Sequence, residues 1–178
     1  MAHRQDLLDG STCNCMAEAE KLPRFEYDLK ATLGLHRCPT IHSASDVALA
    51  FHDMSRLPRV VVVAGTLDYE NRMICWTIVS GGSGERFRIN ESEVFSSALR
   101  NRGAAVFLVQ NSPSGSLILT YSERRTLRAV LRKSRTLKCP VLDHVILTPK
   151  AYRSVLGSEM VPGRDTKGIH SIGKIIKS

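Results

Sequence analysis

From about residue 45 onward the chain alternates between short β-branched runs and amphipathic stretches, and this alternation predicts most of its elements. Ser45-Asp46-Val47-Ala48-Leu49-Ala50-Phe51 opens on a capping residue and repeats apolar positions at helical spacing, which predicts a helix over 45–54. After Pro58, the run Val60-Val61-Val62-Val63-Ala64-Gly65-Thr66-Leu67 is too short for a globular helix and reads as a buried strand. Asp68-Tyr69-Glu70-Asn71 is turn chemistry, and the apolar run over 72–79 completes a hairpin. Gly81-Gly82-Ser83-Gly84 is a link, too short and too far from a following helix to cradle a phosphate.

The next cap is Asn90, with Glu93 three residues on, and it opens a helix over 91–101 that keeps Val94, Phe95, Ala98 and Leu99 on one face. Gly103 ends that helix, and 104–109 is a third strand running into the loop Gln110-Asn111-Ser112-Pro113-Ser114-Gly115. Thr120-Tyr121-Ser122-Glu123 is a capping box, opening a helix that runs to about Lys138. A fourth strand is predicted over 141–148, then a short turn or helix over 150–156. Residues 1–42 hold no sustained period beyond a short helix near 16–21 and read as an arm. The segment 157–178, rich in Gly, Lys and Arg, reads as a basic flexible tail. Alternating strands and helices make 43–156 a single α/β domain with helices packed on a central sheet.

Composition adds the electrostatics. The 25 Lys and Arg outnumber 17 Asp and Glu, giving a net charge of +8, which favours polyanionic partners without dictating a fold. No apolar run approaches the ~20 residues of a membrane span, and the start MAHRQDLLDGS is too polar for a signal peptide, so a cytoplasmic location is expected. Five scattered cysteines fit reduced thiols. Cys13, Cys15, His36 and Cys38 could in principle hold a zinc. Each pair is separated by a single residue, tighter than structural zinc sites use, and ordinary thiols are the favoured reading.

The strand feeding Gln110-Asn111-Ser112-Pro113-Ser114-Gly115, the step to Thr120 and Glu123, and the later Leu142-Asp143-His144 resemble the RadC family of the JAB (MPN, JAMM) metalloprotease-like superfamily. Its loop reads H-N-H-P-S-G, followed by a serine and an aspartate and then an L-D-H strand. Upstream, Ile89 to Phe95 resembles its H-P-R-E-V-F helix start, and 60–68 with Asn71-Arg72 its first hairpin. The resemblance implies a single JAB/MPN-like (cytidine-deaminase-like) fold, a central mixed sheet flanked by helices. It also implies, for active members, a zinc held by two imidazoles and a carboxylate, with a strand glutamate as general base. Carried across, the histidine positions are Gln110 and Ser112, the hydroxyl is Thr120 and the aspartate is Glu123. The glutamate position falls near Val60, and no carboxylate lies between Met54 and Leu67.

An amide and a hydroxyl are poor zinc ligands, so no catalytic residue and no cofactor are expected. His144 reads as a structural histidine hydrogen-bonded in the sheet, and Ser114, with no base in reach, as a loop-bonding residue. The expected role is a catalytically inactive binding or scaffolding module. The alternative is a zinc-dependent peptidase or isopeptidase with a rearranged ligand set.

One further feature bears on partners. Arg124, Arg125, Arg128, Arg132, Arg135 and Lys138 fall on an arc of roughly 140° of the helix after Thr120, opposed by one acid, Glu123. Leu127, Val130, Leu131 and Leu137 should face the sheet. A solvated basic face is the simpler reading. A surface for nucleic acid or another polyanion, aided by the family's association by name with DNA repair, is the sharper one. A protein partner is equally open.

Overall fold

The computed structural model describes residues 39–80 and 89–157 together with the backbone of 172–174. The Cys13, Cys15, His36 and Cys38 group, the helix expected near 16–21, the glycine link at 81–84 and most of the basic tail lie outside the described residues.

Among the described residues six strands form one sheet in the order β2-β1-β3-β4-β5-β6. They are β1 (Val62–Leu67), β2 (Met73–Ile78), β3 (Ala105–Asn111), β4 (Val141–Leu147), β5 (Ala151–Ser154) and β6 (Ile172–Lys174). Only β3 and β4 run parallel. A parallel pair needs a crossover, and the 17-residue helix α3 (Tyr121–Leu137) supplies it. Helix α1 (Ala44–Ala50) precedes the sheet, and α2 (Glu91–Arg100) sits between β2 and β3. The mixed sheet flanked by helices is the architecture the alternation predicts.

The sheet separates two cores. On one face Val63, Phe107, Val109 and Val145 pack with Phe51, Met54 and Trp76. On the other, Val62, Val106, Leu108 and Ile146 pack with Val94 and Phe95 of α2 and Leu127 and Val130 of α3. Each such side chain contributes about 1.5–3 kcal/mol on burial, so the second layer holds α2 and α3 in place. Ile41 is fully buried in the first core, and its amide bonds to Asn71, so packing begins by that residue.

Several elements differ from the sequence pattern for physical reasons. The first helix is capped by Ser43, not Ser45, and gives way at Phe51 to a 3-10 helix, His52–Arg56. Phe51 and Met54, three apart and both fully buried, stack on one side of this tighter winding, where positions i and i+3 eclipse. In α2 Leu99 is exposed and Ser97 buried. Leu99 lies about 90° to one side of the centre of the Val94, Phe95 and Ala98 face, and Ser97 lies about as far to the other, where its hydroxyl meets the Cys75 thiol at 3.2 Å. Leu137 is exposed as well, because Lys138 turns left-handed (φ 51) and the chain leaves the helix there.

The stretch expected as turn or helix over 150–156 is strand β5. Thr148 closes a tight hairpin by accepting from the Ala151 amide at 3.0 Å and donating to the Ala151 carbonyl at 2.9 Å, which returns the chain alongside β4. Residues 172–174, read as part of a featureless tail, pair with β5 as β6.

Candidate functional site

Strand β3 extends through Gln110 and Asn111, so two residues assigned to the loop belong to the ladder. Gln110 pairs with Ile146 and Asn111 with Leu147, and the Ser112 amide continues the ladder to the Leu147 carbonyl at 2.8 Å. Asn111, fully buried, explains its own residue type. Its Oδ1 accepts from the Val61 amide at 2.6 Å, while Nδ2 donates to the Leu57 and Arg59 carbonyls. No apolar side chain could hold the entry to β1 in this way.

The turn after β3 closes where the Gly115 amide donates to the Ser112 carbonyl, with Gly115 at φ 78, where a side chain would be strained. Ser114 sits with its Oγ 3.3 Å from that of Ser112 and accepts from the Ser116 amide, the loop-bonding role expected of it. Arg153 of β5 donates to the Leu117 carbonyl and ties the far end of the loop to the sheet.

The loop delivers Thr120 to the cap of α3. Thr120 Oγ1 accepts from the Glu123 amide and Glu123 Oε2 accepts from the Thr120 amide at 2.6 Å, which completes the predicted capping box. The other oxygen, Glu123 Oε1, accepts from the Gln110 amide nitrogen at 2.6 Å. Two of the three positions that the resemblance assigns to zinc ligands are therefore bonded to each other, and both oxygens of the carboxylate are committed. Ser112, the third, is buried beside them. Among the described residues no group of three His, Cys, Asp or Glu side chains could hold a metal ion. An amide, a hydroxyl and a doubly bonded carboxylate do not fit a tetrahedral zinc with an open water position. Val60, at the general-base position, is a half-exposed apolar residue at the entry to β1.

A fourth side chain joins the cluster that sequence reasoning left outside it. His144 is buried on the α3 side of β4, opposite Leu108, and the Glu123 carboxylate is near enough to act on its charge. It is not hydrogen-bonded through its ring as expected, because neither Nδ1 nor Nε2 has a partner among the described residues. Burial holds its pKa down at about 4, against a smaller upward pull from Glu123. Gln110 Oε1 is likewise buried without a partner among those residues. The site is a small, mostly buried polar cluster under the first turn of α3, with acceptor capacity at Gln110 and His144 that no described residue uses.

The placement of His144 depends on an irregularity that period-two reading cannot supply. Val106 faces Val141 whereas Leu108 faces His144, so β4 uses three residues where β3 uses two. The extra residue is Asp143. Its Oδ1 accepts from the His144 amide at 2.7 Å and the Leu156 amide at 3.0 Å. Burial pushes its carboxyl pKa up, opposed by the Ser154 hydroxyl and these amides.

Outside this pocket, Arg124, Arg125, Arg128, Arg132, Arg135 and Lys138 are all exposed on α3. Lys133, which falls off their arc, is paired with Glu91 of α2 at 3.0 Å. The other six cations have no ion-pair partner among the described residues. No helix among those residues is long and apolar enough to cross a membrane.

Comparison with known proteins agrees with this geometry. The chain matches the family of the RadC-like JAB domain over residues 41–160. It is 33% identical to a UPF0758 protein of Chloroflexus aurantiacus over 116 residues, which covers 65% of this chain and 51% of that one. A UPF0758 protein of Protochlamydia amoebophila is 28% identical over 113 residues, 64% of this chain and 49% of the other. A third, from Methanococcoides burtonii, is 32% identical over 116 residues, again 65% and 51%. The chain thus spans about half the length of the curated relatives it matches. With the matched region covering strands β1 to β5, the three helices and the polar cluster beneath α3, this chain belongs to the RadC-like JAB domain family.

Proposed function

We propose that this chain is a non-catalytic member of its family, a binding or scaffolding module whose contact surface is the basic face of α3 and whose target is a polyanion such as nucleic acid. The observation that carries the first half is the Gln110 to Glu123 hydrogen bond. An amide N–H meets the carboxylate in place of a metal ion. Both carboxylate oxygens are spent on N–H donors, and nothing in the pair activates a water. The second half draws on six exposed, unpaired cations along one helix, which would bind phosphates without reading sequence.

A competing reading, a zinc-dependent peptidase or isopeptidase with a rearranged ligand set, draws on His144. Its unpartnered nitrogens lie on the same side of the sheet as Glu123. Metal analysis separates the two. Protein purified with zinc in every buffer should hold far less than one zinc per chain. A stoichiometric zinc that disappears in both Glu123→Gln and His144→Asn would establish the hydrolase reading instead. For the polyanion, filter binding at low salt should give measurable affinity that falls steeply as salt rises. Affinity unaltered by Arg128→Glu with Arg132→Glu would remove the basic face from the proposal.

A further inference from the structure

We infer that the outward pole of α3 is a single-strand nucleic-acid surface, in which Tyr121 stacks on a base while the arginines that follow hold the backbone. The inference rests on the polyanion reading above and narrows it to one class of ligand. Tyr121 is the first residue of α3, and Arg125, Arg128, Arg132 and Arg135 follow at steps of four, three, four and three. At 100° per residue these five positions fall within an arc of about 80°, directly opposite the buried positions Leu127, Val130 and Ser134. The ring therefore heads the same ridge that carries the guanidinium groups. From Arg125 to Arg135 that ridge runs about 15 Å.

Tyr121 is 75% exposed and Ile118, just before it, 64% exposed. Neither is needed by the core, and the tyrosine ring and hydroxyl have no partner among the described residues. An aromatic ring at the end of a cationic ridge matches what an unpaired strand offers, a continuous backbone of phosphates with free base faces. A duplex offers the phosphates but keeps its base faces stacked inside, leaving Tyr121 and Ile118 in water. Arginine also stacks on bases through its planar guanidinium, so the ridge itself can take part.

The test is fluorescence anisotropy of the full chain with labelled oligo(dT) and with a mixed-sequence duplex of equal length, at several salt concentrations. Oligo(dT) should bind more tightly than the duplex. Tyr121→Ala should weaken oligo(dT) binding by roughly fivefold or more and leave duplex binding unchanged, whereas Tyr121→Phe should behave as wild type. Tyr121 is exposed, so circular dichroism and the melting temperature should not move. Arg128→Glu with Arg132→Glu should abolish binding to both. If the arginine variant loses binding but the duplex binds as well as oligo(dT), or Tyr121→Ala changes nothing, the single-strand inference is wrong and the polyanion reading stands. If neither nucleic acid binds at low salt, both fall.

Discussion

His144 is the residue where burial and chemistry conflict most sharply. A buried ring whose two nitrogens have no partner among the described residues favours neutral imidazole, and its pKa of about 4 expresses that preference. Because the folded value lies below the ordinary 6.5, the stabilising contribution is complete above pH 6.5. It drains away as the pH falls toward 4, by about 3 kcal/mol in total. Asp143 acts in the opposite sense. Its raised carboxyl pKa favours folding below the ordinary 3.8 and loses that advantage as pH rises, so protonating it partly offsets His144 on the acid side. Replacing His144 with Leu removes the larger effect. Urea denaturation between pH 7.5 and 4.5 should show a marked loss of stability in the wild type and a much flatter profile in His144→Leu. Parallel profiles would mean that the ring is solvated or paired in solution.

Among the elements, α3 carries both the pocket lid and the basic ridge, and its first turn depends on one threonine. Thr120→Ala breaks half of the capping box and releases the Glu123 amide, at a cost of about 1 kcal/mol in thermal unfolding. A variant as stable as wild type would show that the Gln110 bond alone fixes Glu123. The capping box was legible in the sequence because its chemistry is local, four residues long and dictated by backbone donors. So were the hairpin of β1 and β2, the helix period of α2 and the alternation that gives the fold. The bond from Gln110 to Glu123 was not, because it joins a strand to a helix across a loop whose path no local pattern encodes. The strand β5 was missed for a related reason. Its four residues carry no alternation of their own and owe their conformation to the Thr148 turn and the edge of β4. His144 was legible as a buried histidine, but its place in the pocket was not.

At the scale of the whole molecule, the sheet is a partition between two cores, and β1 and β3 meet in it with no room for a further side-chain atom at Gly65. Gly65 pairs with Phe107, and a Cβ on Gly65 would overlap the edge of that ring. Phe107 is in turn packed edge-on to Phe51 at 5.8 Å, so the ring has no easy retreat. Gly65→Ala should lower the urea midpoint, equivalent to about 1–3 kcal/mol, with an unchanged slope. An unaltered midpoint would show that the Phe51 and Phe107 pair can shift as a unit. The Lys133 to Glu91 pair that joins α2 to α3 is surface-exposed and contributes at most about 1 kcal/mol, so helix packing rests on the apolar layer beneath it.

Asp143 is a supernumerary letter in the text of β4. With it omitted, Val141, Leu142, His144, Val145, Ile146 and Leu147 alternate between the two cores without a break. Its place in the chain is therefore justified by anchorage rather than by rhythm: its carboxylate binds the Leu156 amide and fixes how the polypeptide leaves β5. A variant lacking Asp143 should keep the β3 and β4 pairing in phase, with slow amide exchange there, while the amides of 155–157 exchange quickly. Loss of protection along β4 as well would mean that the spare residue, and not only its carboxylate, is woven into the sheet.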